Sequence, residues 1–219
     1  MFSNKDLRRL ILPLIVEQFL QSFVGLADSI MVASVGEAAV SGVSLVDTVM
    51  ILLINIFAAL ATGGAVVAGQ FIGKKKQDMG CQATNQLILF TASFSLVIMA
   101  LGYLCRGFIL HGVFGKIEAE VMYDANIYLL IVFASIPFIA LYNAGAAIFR
   151  AMGNSKMSMQ LSMIMNAINL GGNAILIYGL HRGVEGVAIP TLASRVIACI
   201  LMMIMLVDPR RTLNIVRPF

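Results

Sequence analysis

The 219-residue sequence is 60% hydrophobic, carries charge on only 12% of its residues and has a formal net charge of +4; its mean hydropathy is +0.94. A soluble domain has roughly 25% charged residues because it must present a wet surface, so this composition excludes a water-soluble globule and makes the bilayer the solvent. The positive balance reads as a membrane-topology signal and not as the mark of a nucleic-acid binder.

A spanning helix needs about 20 apolar residues, and six segments qualify. The first, Leu10–Val35, is too long and too polar for a cleavable signal peptide, and no cleavage site follows it. It holds Glu17, Gln21 and Asp28 within VEQFLQSFVGLADSIMV, although each membrane-centred carboxylate costs roughly 2.5–3.5 kcal/mol on insertion scales. At 100° per residue, Gln21 sits about 40° from Glu17, Asp28 about 20° from it, and Pro13 about 40° to the other side. These four form one narrow stripe, which is expected to face the bundle interior or a water-filled cavity.

The second span, Val43–Ile72, is rich in Gly and Ala from Ala58 to Gly69, the composition of closely packed membrane helices. The third is Cys81–Cys105. The fourth, Val121–Phe149, holds Pro137; like the second it is longer than a perpendicular crossing needs, and it is expected to tilt or protrude. The fifth, Met157–Leu180, carries Asn166, Asn169 and Asn173 within about 60° of one another. The methionines from Met152 to Met165 read as gap-filling or as an adaptable lining. The sixth, Val187–Val207, holds Pro190, Thr191 and Arg195. Cys81, Cys105 and Cys199 read as free thiols, and His111 and His181 fall near predicted loops, which leaves no metal cluster in the sequence.

The connectors set direction. Lys5, Arg8, Arg9, Lys74, Lys75, Lys76, Arg150, Lys156, Arg210, Arg211 and Arg217 lie on one side, against Arg106, Lys116 and Arg182 on the other. Positive residues stay inside, so both termini are expected in the cytoplasm, in the inner or plasma membrane. With that direction, Asp28 and Asn173 each fall roughly 10 Å below the outer helix ends and Thr191 roughly 6 Å. A carboxylate, an amide and a hydroxyl thus converge in the outer half, a donor set suited to a hard cation such as Na⁺ or to a proton on Asp28. Glu17 and Arg195 lie deeper, and they are expected to pair.

Several separated stretches then resemble the multidrug and toxic compound extrusion (MATE) family, in the right order and over nearly the whole chain. They are LILPLIVEQFLQSFVGLADSIMVASVGEAAVSGVSL, GQFIGKKKQDMG, FRAMGNSKMSM, NAINLGGNAILIYG and GVEGVAIPTLASR. The resemblance implies an all-α polytopic membrane protein whose six transmembrane helices form one lobe of a twelve-helix, inverted V-shaped antiporter. It implies export of small amphipathic cationic drugs in exchange for H⁺ or Na⁺, with no cofactor, no enzymatic activity and no nucleic-acid partner. The family's helix 1 proline, glutamine and aspartate match Pro13, Gln21 and Asp28. Its cation-site residues on helices 5 and 6 match Asn169, Asn173 and Thr191, with Asn173 standing where one branch has Asp. Glu17, Asn166 and Arg195 join Pro13 and Gln21 as expected pathway residues.

Residues 1–207 are expected to form the lobe. The final stretch, DPRRTLNIVRPF over 208–219, resembles the cytoplasmic linker into a second lobe. The resemblance therefore implies half a transporter, as a fragment, a truncated product or a subunit that needs a partner lobe. Two alternatives compete: a lipid-linked saccharide flippase, whose cavity would hold more cations than Arg195, and a non-transporting remnant. An intramembrane protease is excluded because neither histidine is intramembrane and no catalytic motif surrounds Asp28 or Asp47.

Overall fold

The computed structural model of the chain describes residues 4–216, with side chains from Ile11 to Val216. Lys5, Arg8, Arg9 and Arg217, which carry part of the expected orientation, lie outside the described side chains, as do positions 217–219 of the expected linker.

Regular structure among the described residues is entirely helical. The chain runs α1 (Asn4–Ala33), α2 (Glu37–Gly73), α3 (Gln77–Leu104), a short α4 (Arg106–Phe108), α5 (Ala119–Phe133), α6 (Ile136–Ala151), α7 (Ser155–Ala174) and α8 (Glu185–Val207). Two π-helical turns extend α4 and α7, over Ile109–Val113 and Ile175–Gly179. Gly153, with φ of 77°, takes the left-handed conformation that closes α6; Asn154 N–H then reaches back to the Phe149 carbonyl at 2.9 Å.

Among the described residues five helices are long and apolar enough to cross a membrane, and α5 with α6, bent by 48° at their junction, passes the same test as a pair and counts as a sixth when taken as one span. The expected fourth span is therefore not a straight rod. Pro137 falls in the first turn of α6, where it offers no N–H to the preceding turn. At the break, Ser135 Oγ and Ser135 N–H both donate to the Val132 carbonyl, at 2.5 and 2.9 Å. By contrast, α1 runs through Pro13 and α8 through Pro190 as single helices.

Lipid offers no hydrophobic drive for helix association, so close approach of small residues does that work. Ala61, Ala65 and Ala68 of α2 are buried with Ala144, Ala146 and Ala147 of α6. At Gly42 a methyl group would come within 2.8 Å of the Ala125 backbone nitrogen, so only glycine lets α2 and α5 approach so closely. A second cluster, with Val46, Met50, Phe57, Leu129, Val132 and Phe133, fills the other end of the bundle. Helix α1 stands apart: it packs mainly on α7 and leaves Phe19, Phe23, Leu26 and Ile30 exposed.

The stretch expected to be a linker is docked from Asp208 to Val216. Leu213 is fully buried beneath the end carrying the basic loops. Asn85 of α3 grips Val216 twice, donating to its carbonyl at 2.7 Å and accepting from its N–H at 3.2 Å. Met152 sulfur accepts from Leu213 N–H. Leu213→Ala is expected to lower stability by about 2–5 kcal/mol, read as earlier thermal unfolding of the detergent-purified chain. An unchanged melting curve would mean the segment adds nothing to the bundle.

Candidate ion-binding site

Helix α7 carries Asn169 and Asn173 four residues apart and so on one face; both are buried. Gly172 beside them lets α8 come close, since a methyl group there would meet Pro190 Cβ at 2.7 Å. That approach sets Thr191, the residue after the proline, against the amides.

Asp28 of α1 completes the group. Its Oδ1 accepts from Asn173 Nδ2 at 2.7 Å. The orientation of the Asn169 amide follows from its neighbours. With its nitrogen toward the acid, Asn169 donates to Oδ2 at 3.0 Å and Oδ1 at 3.2 Å, and its oxygen accepts from Thr191 Oγ1 at 3.0 Å. Thus Asp28, Asn169, Asn173 and Thr191 are one contiguous network drawn from three helices. Asn173 Oδ1 is buried and has no hydrogen-bond partner. A buried acceptor without a donor is unusual, and beside a carboxylate it fits a cation, which oxygen ligands of this type coordinate.

The site also contains two residues beyond those expected from the sequence. Asp47 of α2 lines the same space and accepts from Tyr128 Oη of α5 at 3.0 Å. Two cavities meet at Gly25, Asp28, Asp47 and Tyr128. One, of about 150 Å³, leads between α1 and α2 past Ser29, Val40 and Ser44, away from the basic end. The other, of about 310 Å³, leads toward the basic end past Gln21, Asn143, Asn166 and Arg195. The two carboxylates therefore stand at the junction of two cavities. Asp47 carries a signal in the sequence, an acid inside SLVDTVMILL, by the same argument that singles out Asp28. Tyr128 carries none, because an aromatic in an apolar run reads as packing.

The pathway residues divide. Gln21, Asn166 and Arg195 line the larger cavity, although Gln21 is otherwise exposed. Pro13 is half-buried within α1. The expected Glu17–Arg195 pair does not form. Arg195 Nη1 donates to Ser135 Oγ at 2.7 Å, at the bend between α5 and α6. Glu17 accepts instead from Ser158 Oγ, which lies 3.2 and 3.4 Å from its two oxygens. Depth estimates place residues along the membrane normal and do not fix which helix faces which; the α5–α6 bend brings a hydroxyl to Arg195 first.

The MatE family profile matches residues 13–175. The uncharacterized transporter YisQ of Bacillus subtilis (strain 168) is 32% identical over 197 residues, which make up 88% of this chain and 43% of that protein. The probable multidrug resistance protein NorM of Thermotoga maritima is 27% identical over 198 residues, 88% of this chain and 42% of that protein. Among solved structures, an outward-facing multidrug resistance MATE family transporter of the MOP superfamily is similar with TM-score 0.89, at 23% identity, over 97% of this chain and 47% of that one. A MATE crystal structure in complex with MaD3S gives TM-score 0.91 at 22% identity, over 98% of this chain and 48% of that one. The chain spans less than half the length of each of these relatives and structures, and its fold is that of one lobe of these two-lobed, twelve-helix structures.

Proposed function

The chain belongs to the MatE family, and from that premise we propose that it acts as the amino-terminal, ion-coupled lobe of an efflux antiporter that exports amphipathic organic cations in exchange for H⁺ or Na⁺. The observation that carries this reading is the position of Asp28, held by two amides at the junction of two cavities. An ionised Asp28, with Asp47 beside it, attracts a cation into the lobe against the Arg195 charge. Binding of Na⁺ or a proton at Asp28 removes that attraction and releases the cationic drug. The coupling is a population shift: the ion favours whichever packing of α1 binds it better.

Helix α1 suits this role because it touches the bundle along one stripe and is exposed elsewhere. The lobe sits with both termini in the cytoplasm, the sidedness that the basic loops favour, and a second six-helix lobe supplies the other wall of the drug cleft. Internal repeats of this kind are general in secondary transporters.

Dye efflux from proteoliposomes tests the reading. The chain with a complementary second lobe is expected to drive uphill movement of a fluorescent organic cation when a Na⁺ or proton gradient is imposed. An ionophore that collapses the gradient is expected to stop it. Dye movement indifferent to both gradients contradicts ion coupling.

A further inference from the structure

We propose that Glu17 is a second proton-exchange site, at the basic end of the lobe, joined to Asp28 by a hydrated polar seam. For its purpose this rests on the ion-coupled role of Asp28; for its chemistry it stands alone.

Glu17 is only 9% exposed, yet no cation lies within 4 Å of it among the described residues. Its hydrogen-bond donor is the neutral hydroxyl of Ser158 on α7. A carboxylate offers about four acceptor positions, so one hydroxyl leaves it short of partners. The same hydroxyl accepts from Arg150 Nη1 of α6 at 3.3 Å, so the guanidinium is reached through Ser158 and not directly. Tyr142, also of α6, donates its hydroxyl to the Ser158 carbonyl at 3.3 Å. The charged residue of α7, Lys156, is exposed, and α2 has no ionisable side chain nearer this end than Asp47. A metal cation at Glu17 would face Arg150 at short range, whereas a proton neutralises the acid in place. A metal ion would also need several oxygen ligands where Ser158 alone offers a hydroxyl, whereas a proton needs none beyond the carboxylate, so the ligand is the proton.

The space from Asp28 to Tyr142 is polar and roomy, and Glu17, which does not line it, is joined to its Tyr142 wall through Ser158. Tyr142 lines the 310 Å³ cavity that reaches Asp28, as do Asn143 and Asn166. Asn143 Nδ2, Asn166 Nδ2 and Ser162 Oγ are buried with no partner, which is the signature of ordered water. Water takes roughly 30 Å³ each, so a cavity of about 310 Å³ has room for several. In the exchange step the O–H bond of protonated Glu17 breaks, water at the basic end accepts the proton, and the carboxylate is left facing Ser158. No electrons change hands.

Infrared difference spectroscopy of the full chain, acid minus alkaline, tests this. Among the carboxylic C=O bands of the chain's acids, Asp47 included, two are expected to come from Glu17 and Asp28. Glu17→Gln is expected to remove one and Asp28→Asn the other, and Glu17→Asp to shift the first without abolishing it. In vesicles selected by outside labelling of Lys74–Lys76, an external pH jump is expected to move the Glu17 band first. An unaltered spectrum in both Glu17 variants, or a Glu17 band that responds first to the opposite side, overturns the inference and leaves the Asp28 reading standing. Loss of the Asp28 assignment with the Glu17 band intact overturns the proposed function instead. If Glu17→Gln does not fold, the Glu17→Asp shift decides alone.

Discussion

Asp28→Asn is expected to abolish ion-coupled efflux while the chain still inserts and folds. The substitution nearly keeps shape and removes the charge. The introduced carboxamide would face two amides that now donate to a carboxylate at 2.7 to 3.2 Å, and one of them would lose its acceptor. Removing a charge-assisted partner of this kind costs about 3 kcal/mol, roughly a hundredfold in affinity. Calorimetric titration with Na⁺ and with an organic cation is therefore expected to show binding weakened by at least about that factor. The same variant is expected to lose gradient-driven dye movement altogether, because the residual cavity no longer changes charge. Normal coupled efflux in Asp28→Asn would remove Asp28 from the mechanism.

Asn173→Asp is expected to have the opposite sign. Its carboxylate would lie against Asp28 where Asn173 Nδ2 now sits at 2.7 Å. Affinity of oxygen sites for hard cations rises with the charge of the ligand set, so Na⁺ is expected to bind at least about tenfold more tightly in alkaline solution. Two acids so close share a proton when no cation separates them. Each Na⁺ bound is therefore expected to release a proton, and acid to expel the ion. Titration in two buffers of different ionisation enthalpy counts that proton. Equal affinity in the two chains, with no proton released, would show that residue 173 does not face the ion.

Some of this is legible in the sequence because the membrane penalises polar groups so heavily. Asp28 and the α7 amides stand out against apolar neighbours, and helical periodicity alone places each set on one face. Their depth then brings the sets to one level, with Thr191 beside them, and the structure joins all four. What periodicity cannot give is which faces meet. Depth near the midplane pairs Arg195 with Glu17, yet Ser135, brought in by the bend after α5, takes the guanidinium. Pro137 signals a disturbance, but a 48° bend depends on packing as well as on the missing N–H. Asp47 is visible as an intramembrane acid, although the sequence suggests no role for it beyond an excluded protease; Tyr128, which ties it to the site, is not visible at all. The docked stretch from Asp208 to Val216 depends on Asn85, more than a hundred residues away in sequence, a contact no local pattern announces.

The most direct measurement is anomalous diffraction from the chain crystallised with thallium(I), a heavy monovalent mimic of the alkali cations. The account predicts one strong peak within bonding distance of Asp28, touching Asn173 Oδ1 or Thr191 Oγ1, and its loss in Asp28→Asn. A peak elsewhere in the lobe, or one that persists when Asp28 is replaced, would contradict it.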